Sequence, residues 1–468
     1  MRIPSILTLL FTVACFGGDK SVGEDALIGE SDRPAWDPDP QTIDNGSSST
    51  TVSWTPPDEE EAPRPNYYNV VVTSEFGRVI SHNSVVDTSL QLTNLRTDTE
   101  YSIDIDACYD QDCLDPLVGE PIHPPTWRTE IESWVFPEIN GEEINPLFGN
   151  AYAPTLINLS ELPINQDGWV LTNIQNDGGS KQIQVSVLRD LFIEDNLRID
   201  FLLESPVGAG VQDAPEIIDF TSSSARAVNI NGEWTLEVFV SLTANIGEER
   251  SMIGSWTSDT GVTSIDIAGA HGYSDEICKF GSLEDTCGMN TCMDSQSDSE
   301  TLANMDCISL IPNVDDLMLV QGRTDSNDNT APNLYIAQSL GNGEWSVGGQ
   351  NNPSVEPILS DATGASVHVE NDVGKLYYWD ENSGSAYIRY WDPTLFGDPS
   401  TFELDDLESE DRVRHVYYTD QNGEVMLPWN FKVVERTFLT KDDQQVMLST
   451  VETSEGKRHI TFGVLSNP

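Results

Sequence analysis

The sequence predicts an all-β protein in two parts, a small antiparallel sandwich followed by a larger β region. Three observations carry this. Short runs of alternating apolar and polar residues recur from residue 49 onward, as in "YSIDIDA" (101–107) and "KQIQVSVL" (181–188). Asn-Gly, Asp-Gly and Gly-Asn pairs punctuate them as hairpin turns. Helical periodicity is almost missing beyond residue 130.

Composition limits the partners. The 468 residues include 78 acidic and 23 basic side chains, a net charge of -55. Nucleic acid and anionic lipid surfaces are contacted through Lys and Arg, so that balance argues against both as direct partners.

Arg2 and the amino terminus precede the apolar run "IPSILTLLFTVA" (3–14). Its length suits a signal-peptide core of about 7–15 residues, not a spanning helix of about 20. "TVAC" (12–15) resembles the lipobox of bacterial lipoproteins, with small Ala14 before Cys15. Thr12 departs from the Leu preferred there. The resemblance implies a signal peptide over 1–14 and lipidation of Cys15. Phe16 after the cysteine implies the outer membrane or cell surface. An ordinary secretory signal cut near Ala14 is the other reading. Residues 15–33 are acidic and Gly-rich, a flexible tether spanning about 20–25 Å.

From residue 34 to 130 strands alternate with turns: "STTVSW" (49–54), "YYNVVVTS" (67–74) and "TSLQLTNLRTDTEYSIDIDACY" (88–109). Such spacing fits a sandwich of about 100 residues. Trp54, Tyr68 and the run Leu95, Thr99, Tyr101 together resemble a fibronectin type III domain. The resemblance implies a core tryptophan at 54 and a corner tyrosine at 101 whose hydroxyl bonds backbone. Thr97 stands where the family prefers proline. Cys108 and Cys113 lie across the last hairpin, and export would make them a disulfide.

Residues 131–468 hold about fifteen further strand candidates, among them "GWVLTNI" (168–174), "WTLEVFVSL" (234–242), "LMLVQG" (317–322), "KLYYWDE" (375–381) and "QQVMLSTVE" (444–452). Turn glycines precede strands at Gly168, Gly232, Gly343, Gly374 and Gly423 with irregular spacing. A β-propeller of about five to seven blades with loop insertions accounts for this. Two further sandwiches or a jelly roll are the alternatives. "SDTGVTS" (258–264) weakly resembles the turn of sialidase-like propellers. The insertion 278–307 carries Cys278, Cys287, Cys292 and Cys307, read as two disulfides with three possible pairings.

Catalytic motifs are missing: no His-Glu-x-x-His helix, no Gly-x-Ser-x-Gly elbow, no phosphate loop, no dinucleotide fingerprint. The histidines (His82, His123, His271, His368, His415 and His459) are scattered. Tyr377, Tyr378, Trp379, Tyr387, Tyr390 and Trp391 form the densest aromatic group, and "VENDVGKLYYWDEN" (369–382) resembles a blade of a carbohydrate-active propeller. Tyr378, Trp379 and Trp391 are the candidate sugar-stacking residues. Asp380 and Glu381 read as the end of a strand at a solvated turn. Asp325, Asn327 and Asp328 present hard oxygens at close spacing, a candidate calcium loop without the glycine and glutamate of an EF-hand. The expected function is a lipid-anchored envelope protein presenting a binding or adhesion head to a glycan or surface protein. The alternative is a secreted or anchored glycan-active hydrolase.

Overall fold

The computed structural model describes residues within 36–466, with breaks, the longest at 204–215, 262–279, 287–303 and 392–412. Among the described residues the architecture is all-β, and the one helical turn is a 3-10 turn at Leu159–Glu161. No helix among them is long and apolar enough to cross a membrane.

The first part is a two-sheet sandwich. One sheet orders Gln41–Asn45, Thr50–Ser53 and Ser89–Leu92. The other orders Val79–Val85, Tyr67–Ser74, Glu100–Cys108 and Leu117–Val118, with Thr126–Arg128 also on Glu100–Cys108. Strict alternation sends Tyr68, Val70, Val72, Tyr101, Ile103 and Ile105 into one core. Trp54 meets Tyr68 edge-on, ring centres 5.3 Å apart. The Tyr101 hydroxyl accepts the Arg96 N–H at 2.7 Å, as expected for the corner tyrosine. Cys108 and Cys113 are disulfide-bonded.

Thr97, in the position where proline is preferred, joins this sandwich to the rest of the chain. Its N–H donates to the Tyr390 hydroxyl at 3.1 Å. Its own hydroxyl donates to Glu130 O and accepts from Glu132 N. Proline has no N–H to offer, so the departure has a structural reason. Arg414 adds a bond from Nε to the Thr99 hydroxyl and lies 4.8 Å over the Phe76 ring.

The second part is a propeller of five blades. Blade 1 comprises Ala151–Asn158, Trp169–Asp177, Ser180–Leu188 and Leu197–Leu203. Blade 2 comprises Glu216–Ile230, Glu233–Asn245 and Glu249–Gly261. Blade 3 comprises Asn304–Leu310, Leu317–Arg323, Asn333–Gly341 and Glu344–Val347. Blade 4 comprises Ala362–Glu370, Val373–Asp380, Ser385–Trp391 and Val413–Asp420. Blade 5 comprises Phe431–Lys441, Gln444–Thr453 and Arg458–Leu465, with Glu132–Phe136 as its outermost strand. The first strand of every blade touches the first strand of the next, and blade 5 returns to blade 1, so the ring is closed. This settles the blade number among the described residues and excludes further sandwiches.

Glu132–Phe136 closes the ring across more than 300 residues of sequence. It pairs antiparallel with Arg458–Leu465 and parallel with Val413–Asp420, fusing blades 4 and 5 into one sheet. Glu132 pins it in place. Its buried carboxylate accepts from Trp134 Nε1 (2.8 Å), Tyr377 Oη (2.7 Å) and Lys375 Nζ (3.2 Å). Removing one member of a buried, hydrogen-bonded ion pair leaves the other charge uncompensated, at about 3–5 kcal/mol. Urea unfolding of Glu132→Gln is expected to show a loss of that order. The double variant Glu132→Gln/Lys375→Met is expected to recover most of it. A loss under about 1 kcal/mol for the single variant would show that the pair does not latch the ring.

Candidate active site in the propeller channel

The five inner strands surround a channel, and each bears a register irregularity near its start. They fall between Tyr152 and Thr155, Phe220 and Ser222, Met305 and Cys307, Thr363 and Ser366, and Val434 and Arg436. Bulges of this kind bend a strand and re-aim side chains. Ala153 (φ 54°), Gly364 (φ 58°) and Glu435 (φ 48°) occupy three of them with left-handed backbone. At Gly364 the glycine is required twice over, because an added Cβ would lie 2.4 Å from Val434 Cβ.

At this level the blades are tied by side chains that bond the backbone of a neighbouring blade. Ser223 Oγ donates to Ala153 O at 3.1 Å. Ser222 and Ser224 accept from Ile308 N (3.3 Å) and Leu310 N (3.2 Å). Gln321 accepts from Gly364 N at 2.6 Å, and Ser366 from Arg436 N at 2.7 Å. Glu435 closes the circle, its Oε2 accepting from Ala153 N at 3.0 Å.

Beyond this ring the channel widens into a cavity of about 640 Å³. Its walls carry Ser223, Ser224, Ser366 and Thr437 among Ile311, Val367 and Leu439. Trp234, Glu161 and Leu162 stand at the opposite end from Glu435. Asn158 caps the 3-10 turn that holds Glu161 there, bonding its carboxylate at 2.8 Å.

Two ionisable groups on the wall are shifted. Glu435 is fully enclosed, and burial pushes its carboxyl above the usual carboxylate range. Attraction to Arg458 and bonds from Ser222, Thr450 and Ala153 oppose that rise without cancelling it. Thr450 Oγ1 and Ala153 N both bond Oε2. His368 moves the other way. Burial, then the charge of Lys375, lowers it from 6.5 to about 3. Arg436 is spent on structure, donating to Tyr418 Oη, Gly364 O and Val433 O.

The sequence-selected residues lie elsewhere. Tyr378 and Trp379, expected as stacking surfaces, are each only 6% exposed. Tyr378 stacks on Tyr387 and Trp379 packs in the core with Trp134. Their strand is sandwiched between neighbouring sheets, so alternation buries both faces. Trp391 ends the third strand of blade 4, and its side chain lies outside the described residues, as do Cys15, Cys278, Cys287, Cys292 and the loop with Asp325, Asn327 and Asp328. Cys307 falls in the inner strand of blade 3, its side chain likewise outside them. Among the described residues no cluster of three or more His, Cys, Asp or Glu is placed to hold a metal. Asp380 holds a turn through Asn382 N and Ser383 N, and Glu381 bonds Thr363 and Lys432. Glu435 was missed. Its signal is a lone acid inside the strand "FKVVERTFL" (431–439).

Comparison with known proteins bears on both parts. The fibronectin type III domain family matches residues 37–113. An FN3 domain of human collagen XX is 28% identical over 20% of this chain and 97% of that one, with a TM-score of 0.16. No curated protein matches the chain. An α-L-arabinofuranosidase from Podospora anserina, solved in complex with cellotriose, is 11% identical over 72% of this chain and 97% of that one, with a TM-score of 0.36. An α-L-arabinofuranosidase from Lactobacillus brevis is 12% identical over 68% and 92%, with a TM-score of 0.38. The binding or adhesion head expected from the sequence is not the class of these solved structures; both are arabinofuranosidases, which fall in the hydrolase class held as the alternative.

The His368 shift has a definite sign. The unfolded chain binds this proton at the ordinary 6.5 and the folded chain only near 3, so stability falls as pH drops from about 6.5 towards about 3. Glu435, shifted upward, contributes in the opposite sense, losing stability as pH rises through its raised range. Urea unfolding from about pH 7 to about pH 4 is expected to give a shallower acid loss for His368→Gln than for the parent. An unchanged slope would show that His368 is hydrated in the fold.

Proposed function

We propose that the propeller is a glycan-active hydrolase whose general acid is Glu435. The observation that carries this is the state of that carboxyl. It sits on a left-handed bulge, buried at the end of a cavity, and burial raises its pKa above the usual carboxylate range. Strained backbone at such a point suggests function rather than packing. Glycoside hydrolysis needs one carboxylic acid to protonate the leaving oxygen and a second carboxylate as base or nucleophile. Among the described lining residues Glu435 is the one carboxyl at that end.

The wild-type chain, prepared with disulfides formed, is expected to release reducing ends from at least one member of a polysaccharide panel. Glu435→Gln is expected to lower that rate by about 100-fold or more, the usual contribution of a positioned acid. Full activity in Glu435→Gln, with the fold verified by circular dichroism, would remove this assignment.

The same proposal places the enzyme outside the cell, attached by a lipid on Cys15 at the outer membrane or cell surface. The short apolar segment and the Ala14–Cys15 junction support it. Cells fed an alkyne-tagged fatty acid are expected to label the wild-type chain and not Cys15→Ser. Equal labelling of both would sink the anchor at that residue, while a soluble, unlabelled product would leave plain secretion.

A further inference from the structure

The chain between the sandwich and the propeller has no slack. Only residues 129–131 separate the sandwich strand Thr126–Arg128 from the ring-closing strand Glu132–Phe136. Boundaries between independent domains fall in exposed, flexible linkers that few contacts cross. Here the connection is bonded into the sandwich. Thr129 is buried, its N–H donating to Thr99 O at 3.0 Å and its hydroxyl to Arg96 O at 2.6 Å. Glu130 N donates to Gly46 O at 3.0 Å, and Glu130 O accepts from Asp98 N at 3.2 Å. The sandwich corner at 96–99 then reaches three strands of the propeller. The Thr97 hydroxyl accepts from Glu132 N, in the closing strand, at 2.6 Å. Thr97 N donates to the Tyr390 hydroxyl, in the third strand of blade 4, at 3.1 Å. The Arg96 guanidinium lies 5.7 Å from the centre of the same ring. The Thr99 hydroxyl accepts from Arg414 Nε, in the fourth strand of blade 4, at 3.0 Å. Thr97, Thr99, Glu132, Tyr390 and Arg414 are all buried, so a partner lost from any of these bonds is not replaced by water.

The closing strand has little else to hold it. It is five residues long. Its ladder to blade 5 holds two paired positions, Val464 with Val135 and Leu465 with Trp134. Its longer ladder, to Val413–Asp420, is parallel, the slightly weaker kind per residue. We infer that the sandwich is a docked intramolecular partner of the propeller, and that the seam between blades 4 and 5 stays closed only while the corner at 96–99 is seated on it. The first part of the chain is then a clamp on the ring and not a free spacer. The departure at Thr97 is what makes the clamp, because one side chain and its own N–H grip the closing strand and blade 4 together.

Amide hydrogen exchange on the full chain, with disulfides formed, reads the seam strand by strand. Thr97→Pro installs the residue that fibronectin type III domains prefer there, and removes both the N–H bonded to Tyr390 and the hydroxyl bonded to Glu132. Amides of Glu132–Phe136 are expected to exchange about tenfold faster or more, as befits two lost bonds. Those at 238–241 in blade 2, remote from the seam in the ring, serve as the control and are expected to stay near the parent rate. Thr97→Val keeps the N–H and loses the hydroxyl, and is expected to give a smaller rise in the same strand. Parent-like exchange of Glu132–Phe136 in both variants would overturn the clamp and leave the ring closed by its own strands. An equal rise at the seam and in blade 2 would also overturn it, as a general loosening of the fold.

Discussion

The propeller depends on how its inner strands satisfy their free edges. Each blade's first strand has a ladder partner on one side only. The other edge faces the channel or the next blade, and an unpaired buried N–H costs about 1–3 kcal/mol. Ladder pairing between the inner strands of neighbouring blades is not available, since those strands lie in separate sheets or at opposite edges of one. Side chains supply the acceptors instead: Ser222 and Ser224 for Ile308 and Leu310, Gln321 for Gly364, Ser366 for Arg436, Thr437 for Leu156, and Glu435 with Thr450 for Ala153. Most are small hydroxyl residues, which reach a neighbour's backbone only when the strands approach closely. The bulges permit that approach. Local chain geometry, edge satisfaction and the closed ring are thus one constraint seen at three scales.

That constraint explains why the side chains that satisfy these edges are mostly polar and uncharged. Serines and a glutamine satisfy most edges at little electrostatic cost. Blade 5 uses a glutamate for the same task, and so places an ionisable group where the edges of the other blades are met by neutral side chains. The bond to Ala153 N is structural. The raised pKa that burial gives the carboxyl is not needed for that bond.

The sandwich was legible because its signals are local: Trp54, the alternation of Tyr67–Ser74, and a corner whose partners Arg96 and Tyr101 lie five residues apart. Thr97 was legible only as a departure, because its partner Tyr390 lies 293 residues away. The propeller was readable as strands and turns but not as a count of blades. Gly168 and Gly232 lie in the innermost hairpin connections of blades 1 and 2 and Gly374 lies within the second strand of blade 4, whereas Gly343 falls between the last two strands of blade 3 and Gly423 follows blade 4. Different turns were being compared, hence their irregular spacing. The closing strand Glu132–Phe136 is too short and its partners too distant for periodicity to reveal. The aromatic run at 377–379 misled for a related reason. Alternation distinguishes inside from outside only where one face of a sheet meets water, and here Tyr377 and Trp379 enter one core while Tyr378 enters another.

Among the described residues of this acidic chain, three carboxyl side chains are buried: Glu132, Asp420 and Glu435. A buried carboxylate must be compensated or must take up a proton. Glu132 is compensated by the Lys375 ammonium and two further donors. Asp420 carries a desolvation cost that the N–H groups of Gly141, Glu424 and Asn422 outweigh, holding it below the usual range. Both belong to satisfied hydrogen-bond networks, and both join strands. Glu435 has donors too, and Arg458 nearby, yet burial wins and the carboxyl stays above its usual range. If its role were only to hold Ala153, a serine or glutamine would serve, as at the other bulges, without the cost of enclosing an ionisable group. The residue that departs from the pattern set by its own ring is therefore the one to which chemistry is assigned.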